Sequence, residues 1–247
     1  MLDLSLLVCT KNSSKSIIPC LKSSLPILKI NAELILVDGR SQDNTIELVE
    51  DFLCNNNIVN FKIITQSKPG LYEAFNLAIE NATKTKLFFL HSDDVLKSCD
   101  TLIEDTYHYN SDVIFYGIEI KGKFFKRKWH IKNLSSINIS CMVMPPHVGI
   151  LIHKNVYNKI GVFQTDYKIA ADFDWMLRLL NFSNISFIFS SEIIYTMNSG
   201  GISNTGFFSE IPKFLEDVKV LKSNGYSLIY YKVFLKKITK LWQYKKL

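Results

Sequence analysis

Short apolar runs alternate with amphipathic stretches along the first half of the chain. Leu4–Cys9, Glu33–Val37, Phe61–Thr65 and Lys86–Leu90 are rich in branched or aromatic residues and read as buried strands. Between them, Ser16–Leu25, Thr45–Leu53 and Leu71–Ala82 carry apolar residues at helical spacing. Asp43 and Asn44 stand where a helix cap belongs, just before Thr45. Strand and helix in alternation predict a parallel sheet covered on both faces. The second half is less regular. Asp112–Ile120, Lys123–Trp129, Val148–Ile152 and Ile185–Phe189 read as strands, and Lys168–Asn181 as a helix. Asn198–Thr205 is rich in Gly, Ser and Asn and reads as a loop.

In such sheets a ligand sits beyond the carboxyl ends of the strands. Polar and acidic residues collect there: Thr10-Lys11-Asn12, Asp38-Gly39-Arg40-Ser41 and His91-Ser92-Asp93-Asp94. No G-x-G-x-x-G follows the first strand and no G-x-x-x-x-G-K-[ST] occurs, which speaks against a nicotinamide, flavin or P-loop site. Asp93 and Asp94 repel each other unless a cation or donor groups neutralise them. Mg²⁺ and Mn²⁺ take carboxylate oxygens together with substrate phosphate. A turn cap is the plainer role for the pair. Asp38 and Thr10 share that edge, so Asp38 reads either as a turn aspartate or as a residue facing a nucleotide.

Asp172 and Asp174 lie in AADFDWMLRLL, near a helix start. There an acid favours the helix dipole, and Asp174 with Arg178 is an i,i+4 pair. A carboxylate in a cleft is also a general base. Spacing does not decide which of the two faces the cleft. His147 follows Pro145 and Pro146, which stiffen its backbone. It reads as a structural histidine or as an acceptor-binding one that hydrogen-bonds a sugar or phosphate.

Composition narrows the class. The chain has 247 residues, 47% hydrophobic and 21% charged, enough for one sizeable core with an appendage. Five dispersed cysteines with no C-x-x-C exclude a zinc ribbon or thioredoxin-type site and suit a reducing compartment. No apolar run approaches the roughly 18–20 residues that span a bilayer, and MLDLSLLVCTKN lacks signal-peptide features. The expectation is an intracellular protein that does not cross a membrane.

Net charge is +6, and the tail holds six lysines and no acid from Tyr226 onward, leaving the remainder balanced. Wound as a helix, the tail sets Tyr231, Phe234, Ile238, Leu241 and Trp242 on one face and Lys232, Lys236 and Lys240 on the other. This suits either a helix lying in an anionic membrane surface or one packed on the body. A second basic cluster, Lys121–Lys132, alternates with Phe124, Phe125 and Trp129. It fits a phosphate grip or an exposed hairpin equally. The balanced body argues against nucleic acid.

Four segments together resemble glycosyltransferase family 2, the inverting GT-A group, over roughly residues 3–203. LSLLVCTKN is similar to the family's first strand and turn, and ELILVDGRSQDNT to its V-D-x-x-S-x-D-x-T segment. SKPGLYEAFNLAIENATKTKLFFLHSDD resembles its G-I-Y-D-A-x-N helix running into the D-x-D region. PPHVGILIHKNVYNKIGVFQTDYKIAADFDWMLRL resembles the acceptor half. The resemblance implies a Rossmann-like, mostly parallel α/β sheet over 1–205, and the tail pattern leaves 206–247 as a basic, helical, membrane-associating appendage. The resemblance also implies that Thr10 and Asp38 contact base and ribose, Asp93 ribose or metal, and Asp94 Mn²⁺ or Mg²⁺. Asp172 would deprotonate the acceptor hydroxyl. Two positions depart from the family pattern: His91 replaces an acid or amide, and Ala171 replaces the glutamate often found before the catalytic aspartate. The Q-x-x-R-W motif of processive synthases is absent, implying one sugar added per encounter.

The function expected is transfer of a hexose from a UDP-sugar to a lipid-diphosphate-linked N-acetylhexosamine, as in O-antigen assembly, at the inner face of an anionic membrane. Glucose or galactose in β1,3 linkage is the specific expectation. A sugar-phosphate nucleotidyltransferase and a non-enzymatic scaffold are the alternatives. The first lacks its Gly-rich phosphate loop, and the second is kept open by His91 and Ala171.

Overall fold

The computed structural model describes residues 2–122, 125–139, 142–198, 210–241 and 244–245, with backbone alone at 210, 236–241 and 244–245. The expected alternation is present as β1 (Leu4–Thr10), α1 (Ile17–Lys29), β2 (Glu33–Asp38), α2 (Thr45–Asn55), β3 (Phe61–Thr65), α3 (Leu71–Asn81) and β4 (Lys86–Phe89). There follow β5 (Val95–Leu96), α4 (Cys99–His108), β6 (Val113–Lys121), β7 (Lys126–Trp129), β8 (Ile150–His153), α5 (Asn155–Ile160), α6 (Ala171–Asn181) and β9 (Phe187–Asn198). Two C-terminal helices, α7 (Glu210–Ser223) and α8 (Ile229–Leu241), precede a short β10 (Tyr244–Lys245). The Asn198–Thr205 loop lies outside the described residues beyond Asn198.

The sheet order is β10-β7-β6-β8-β4-β1-β2-β3, with β9 alongside β6. Pairing is parallel through β4-β1-β2-β3. It turns antiparallel at β8 and again between β6 and β7. The sheet is therefore mixed: the expected parallel character holds through β4-β1-β2-β3 and returns where β9 runs parallel to β6. A parallel pair needs a crossover of a dozen or more residues, and the link between β6 and β7 is far shorter.

β1 and β2 are apolar throughout because both faces are covered. Leu7, Ile35 and Val37 pack with Phe75 and Ala78 of α3. Leu6, Val8, Leu34 and Leu36 pack on the other face with Leu21, Val49 and Phe52. β3 corrects the expectation of a buried strand. It is the sheet edge, and Phe61 is exposed. α1 continues through Pro26 to Lys29 because Ile27 and Leu28 are buried in the core. Asn44 is the N-cap of α2 without a side-chain cap bond, and Asp43 just before it accepts from the Thr45 N–H at 3.1 Å. The Thr45 hydroxyl bond is the main reason its carboxyl is held down at about 2.

The tail helix turns a different face inward from the one its pattern suggested. Ile229 and Val233 of α8 pack on the main core, while Tyr231 and Phe234 are exposed. Lys232, expected on the solvated side, is buried with its ammonium 5.7 Å from the Tyr226 ring centre. A lysine stem packs readily on apolar surface while its charge meets an aromatic face. The side chains of Lys236, Ile238, Lys240, Leu241 and Trp242 lie outside the described residues. No described helix is long and apolar enough to cross a membrane.

Candidate active site at the strand ends

The chain leaves β1 toward β2 on one side and returns as β4 on the other. Such a reversal opens a crevice at the carboxyl ends of the strands. Thr10 and Asp38 are register partners there, and the Gly39 N–H bonds the Thr10 carbonyl at 2.8 Å. The Asp38 carboxylate accepts from the Ser41 hydroxyl at 2.6 Å and the Ser41 N–H at 3.0 Å. The Thr10 hydroxyl is buried and has no hydrogen-bond partner among the described residues. Arg40, at φ +60°, sends its guanidinium to the carbonyls of Gln66 and Ser67, tying the end of β2 to that of β3.

Past β4, Ser92 bonds Ser13 at 2.9 Å and so joins the β4 loop to the β1 loop. His91, Asp93 and Asp94 place one ligand atom each within 4.8 Å of one another. Asp93 is half-buried. Asp94 is fully buried, and its oxygens accept from the Tyr195 hydroxyl at 2.7 Å and the Asn198 N–H at 2.9 Å. Burial pushes its carboxyl up to about 7 against those two bonds. Burial likewise lowers the His91 pKa, opposed by the charges of Asp93 and Asp172. The His91 Nε2 is buried without a partner. Two carboxylates and an imidazole with ligand atoms this close fit a divalent cation such as Mn²⁺ or Mg²⁺.

The structure separates the two acids that spacing left open. Asp174 is 1% exposed and pairs with Arg178 at 2.8 Å, inside the protein. Arg178 also bonds the carbonyls of Ile160, Gly161 and Val162, so the pair is structural. The Asp172 carboxylate is 24% exposed and 3.2 Å from His147 Nδ1. It also accepts from the Tyr72 hydroxyl at 3.3 Å. Burial, then the Asp172 charge, raises the Tyr72 pKa far above the usual phenol range, so Tyr72 remains a donor.

One line of contacts crosses the crevice. Asp94 lies 3.8 Å from His91, the His91 and His147 rings are 6.3 Å apart, and His147 meets Asp172. Thus the Asp93-Asp94 pair, His147 and Asp172, from three separate stretches of sequence, are brought together. Beneath the crevice Tyr72, Phe75, Phe89 and Phe163 form an aromatic floor. Asn76 holds the Phe163 backbone through both amide atoms, at 2.8 and 3.0 Å. Sequence reading assigned no separate role to Tyr72, Asn76 or Tyr195. Their polar atoms in otherwise apolar runs were the available signal.

Two lysines of the basic cluster, Lys121 and Lys126, converge with Lys97 on one acid. Glu119, buried, draws in Lys126 at 2.8 Å, Lys97 at 3.2 Å and Lys121 at 3.9 Å. Arg127 is buried over the Trp129 ring. Lys123 and Phe124 lie outside the described residues.

Comparison with known proteins identifies the family and the fold. Residues 5–184 match the family model described as Glycosyl transferase family 2. A PGL/p-HBAD biosynthesis glycosyltransferase of Mycobacterium bovis is 28% identical over 212 residues, 81% of this chain and 79% of its own. A dolichyl N-acetyl-alpha-D-glucosaminyl phosphate 3-beta-D-2,3-diacetamido-2,3-dideoxy-beta-D-glucuronosyltransferase of Methanococcus voltae is 33% identical over 81 residues, 32% of this chain and 25% of its own. The crystal structure of S. aureus TarS 1–349 in complex with UDP-GlcNAc aligns with a TM-score of 0.66 at 21% identity, covering 94% of this chain and 70% of that one. That last likeness is one of fold, and the fold is GT-A. The matched family spans β1 to the end of α6, strand-end acids and Asp172 included, and the chain belongs to glycosyltransferase family 2.

Proposed function

We propose that this glycosyltransferase inverts the anomeric centre of a UDP-hexose while passing the sugar to a lipid-diphosphate-linked N-acetylhexosamine. Glucose or galactose in β1,3 linkage, within surface-polysaccharide assembly, is the specific reading. The observation that carries it is the line from Asp94 through His91 and His147 to Asp172, which sets a carboxylate opposite a strand-end acid cluster.

In this reading Thr10, with its unpartnered hydroxyl, and Asp38 contact the uridine. Asp93 and Asp94, beside His91, would hold Mn²⁺ or Mg²⁺, which when bound offsets the charge of the departing diphosphate. Asp172 takes the proton of the acceptor hydroxyl. That oxygen bonds to the anomeric carbon from the face opposite the nucleotide, and the bond to the diphosphate oxygen breaks with its electron pair leaving on UDP. His147 Nδ1, 3.2 Å away, and the Tyr72 hydroxyl hold Asp172 in place. His147 borders the acceptor side, in keeping with acceptor binding.

The lipid-linked acceptor is supported by the name of the Methanococcus voltae relative and by the C-terminal helix α8. Tyr230, Tyr231 and Phe234 are exposed on α8, in a segment whose charge is wholly basic from Tyr226. Apolar and aromatic side chains among lysines suit a peripheral contact with the cytoplasmic, anionic face of a membrane.

The test has two arms. Calorimetric titration of UDP, with and without Mn²⁺, is expected to show metal-dependent binding that Asp94→Ala abolishes. Asp172→Asn is expected to keep UDP binding and lose transfer from UDP-glucose or UDP-galactose to a synthetic lipid-diphosphate N-acetylglucosamine. Binding of GDP in preference to UDP would overturn the donor assignment, and an α-linked product would overturn inversion.

A further inference from the structure

We infer that Glu216, on the C-terminal helix α7, is a positioning residue for Asp172, so that the appendage is part of the catalytic unit. The inference rests on the reading of Asp172 as the base.

α6 begins without a cap of its own. Its N-cap position is Ala170, which has no side-chain acceptor, and Ala171 follows. The backbone just before it is held from outside. The Glu216 carboxylate accepts three consecutive backbone N–H groups: Lys168 at 3.0 Å, Ile169 at 2.8 Å and Ala170 at 2.9 Å. An ionised acceptor makes such bonds short and strong. From the cleft side, the Tyr72 hydroxyl donates to the Ile169 carbonyl at 2.8 Å and also reaches Asp172. The segment 168–170 is thus gripped between α7 and α3, and Asp172 is the second residue of the helix it starts.

The rest of that α7 face agrees. Lys219 lies over the Tyr167 ring at 5.1 Å, and Ser223 bonds the Tyr167 hydroxyl at 3.0 Å. Asn224, just past the helix, donates to Asp174 at 2.9 Å. Residues 216, 219 and 223 repeat at helical spacing, so one stripe of α7 addresses the entry to α6. The Glu216 carboxylate is engaged by three backbone N–H groups. It acts through the backbone that aims the base, where an error of about 1 Å can cost about a hundredfold in rate.

The experiment compares Glu216→Ala, Glu216→Gln and Asp172→Asn in the full chain. The readouts are amide hydrogen exchange, UDP affinity by calorimetry, and turnover of UDP-glucose and UDP-galactose with a synthetic lipid-diphosphate N-acetylglucosamine. Glu216→Ala is expected to speed exchange at residues 168–173 and lower kcat by about a hundredfold, with the UDP Kd within about twofold. Glu216→Gln keeps one acceptor oxygen and is expected to recover most of the rate. A Glu216→Ala protein with unaltered exchange at 168–170, or with kcat near the parent value while Asp172→Asn is inactive, would overturn the positioning role and leave the base in place. Equal losses of kcat and UDP affinity would overturn it in favour of general support. An active Asp172→Asn would overturn the base assignment and this inference with it.

Discussion

Asp174→Ala is expected to be among the most damaging single changes in the helical half of the fold. The carboxylate is 1% exposed and holds Arg178 on one oxygen and Asn224 on the other. Truncation strands a guanidinium whose side chain is only 20% exposed. Breaking a buried ion pair by removing one partner costs about 3–5 kcal/mol. Arg178 keeps three carbonyl partners and some contact with water, which puts the pair near the low end, about 3 kcal/mol. The lost Asn224 bond adds about 1 kcal/mol. At about 2–4 °C per kcal/mol for a chain of this size, the expected fall in Tm is about 8–16 °C. Urea unfolding followed by far-UV circular dichroism measures the free energy, and calorimetry measures the Tm. Asp174→Asn retains one acceptor and should lose about half as much. A double-mutant cycle with Arg178→Met should give a coupling above about 1 kcal/mol. If Asp174→Ala stays within about 1 kcal/mol of the parent, the pair is not the tie that its geometry describes.

Gly149, at φ +68°, has room for no side chain: a Cβ would lie 2.9 Å from Ile118 Cγ2. Gly149→Ala should lose about 1–3 kcal/mol by urea unfolding, and an unchanged midpoint would refute the strain argument. Glu33 is buried, which raises its pKa, but bonds from Ser5 and Thr83 outweigh burial and hold the carboxyl below the usual glutamate range. A depressed folded-state pKa contributes stability that is present above the unfolded value of about 4.3 and is lost as pH falls through the folded one. The urea midpoint should therefore drop more steeply in the parent than in Glu33→Gln between about pH 5.5 and 3, and parallel slopes would count against it. Tyr231→Ser with Phe234→Ser removes two exposed aromatics from α8. Losing roughly 1.5 kcal/mol or more of apolar burial should cut sedimentation with phosphatidylglycerol vesicles about tenfold or more while UDP binding is kept, and undiminished sedimentation would exclude this face.

What the sequence reveals depends on how completely each element is covered. β1, β2 and β4 are enclosed by helices or neighbouring strands, so their apolar runs are continuous and their strand-end acids stand out. α4 escapes a periodicity reading because only Leu102 and Thr106 of its ten residues are buried. β5 and β10 are two residues each and exist only through their partners β9 and β7. The tail was legible as a helix but not in its orientation. Tyr231 and Phe234 look like a packing face, yet Val233 and the stem of Lys232 take the inward place. Hydropathy ranks side chains, whereas packing selects those whose stems fit the surface beneath.

The acids of α6 show where the limit lies for the site. Two residues apart on a helix means about 200° around its axis, so Asp172 and Asp174 must face different surroundings. That much follows from spacing. Which one meets the cleft is decided by Arg178, four residues on, and by Asn224, which together claim Asp174 for the interior. The Arg178 pairing was visible in the sequence, but its burial was not, because the carbonyls of Ile160, Gly161 and Val162 that complete the guanidinium belong to another segment. Asp172 is left with His147 and Tyr72, 25 and 100 residues away, as the groups that define it. The groups that single out the proposed base are contributed by tertiary folding rather than by local pattern.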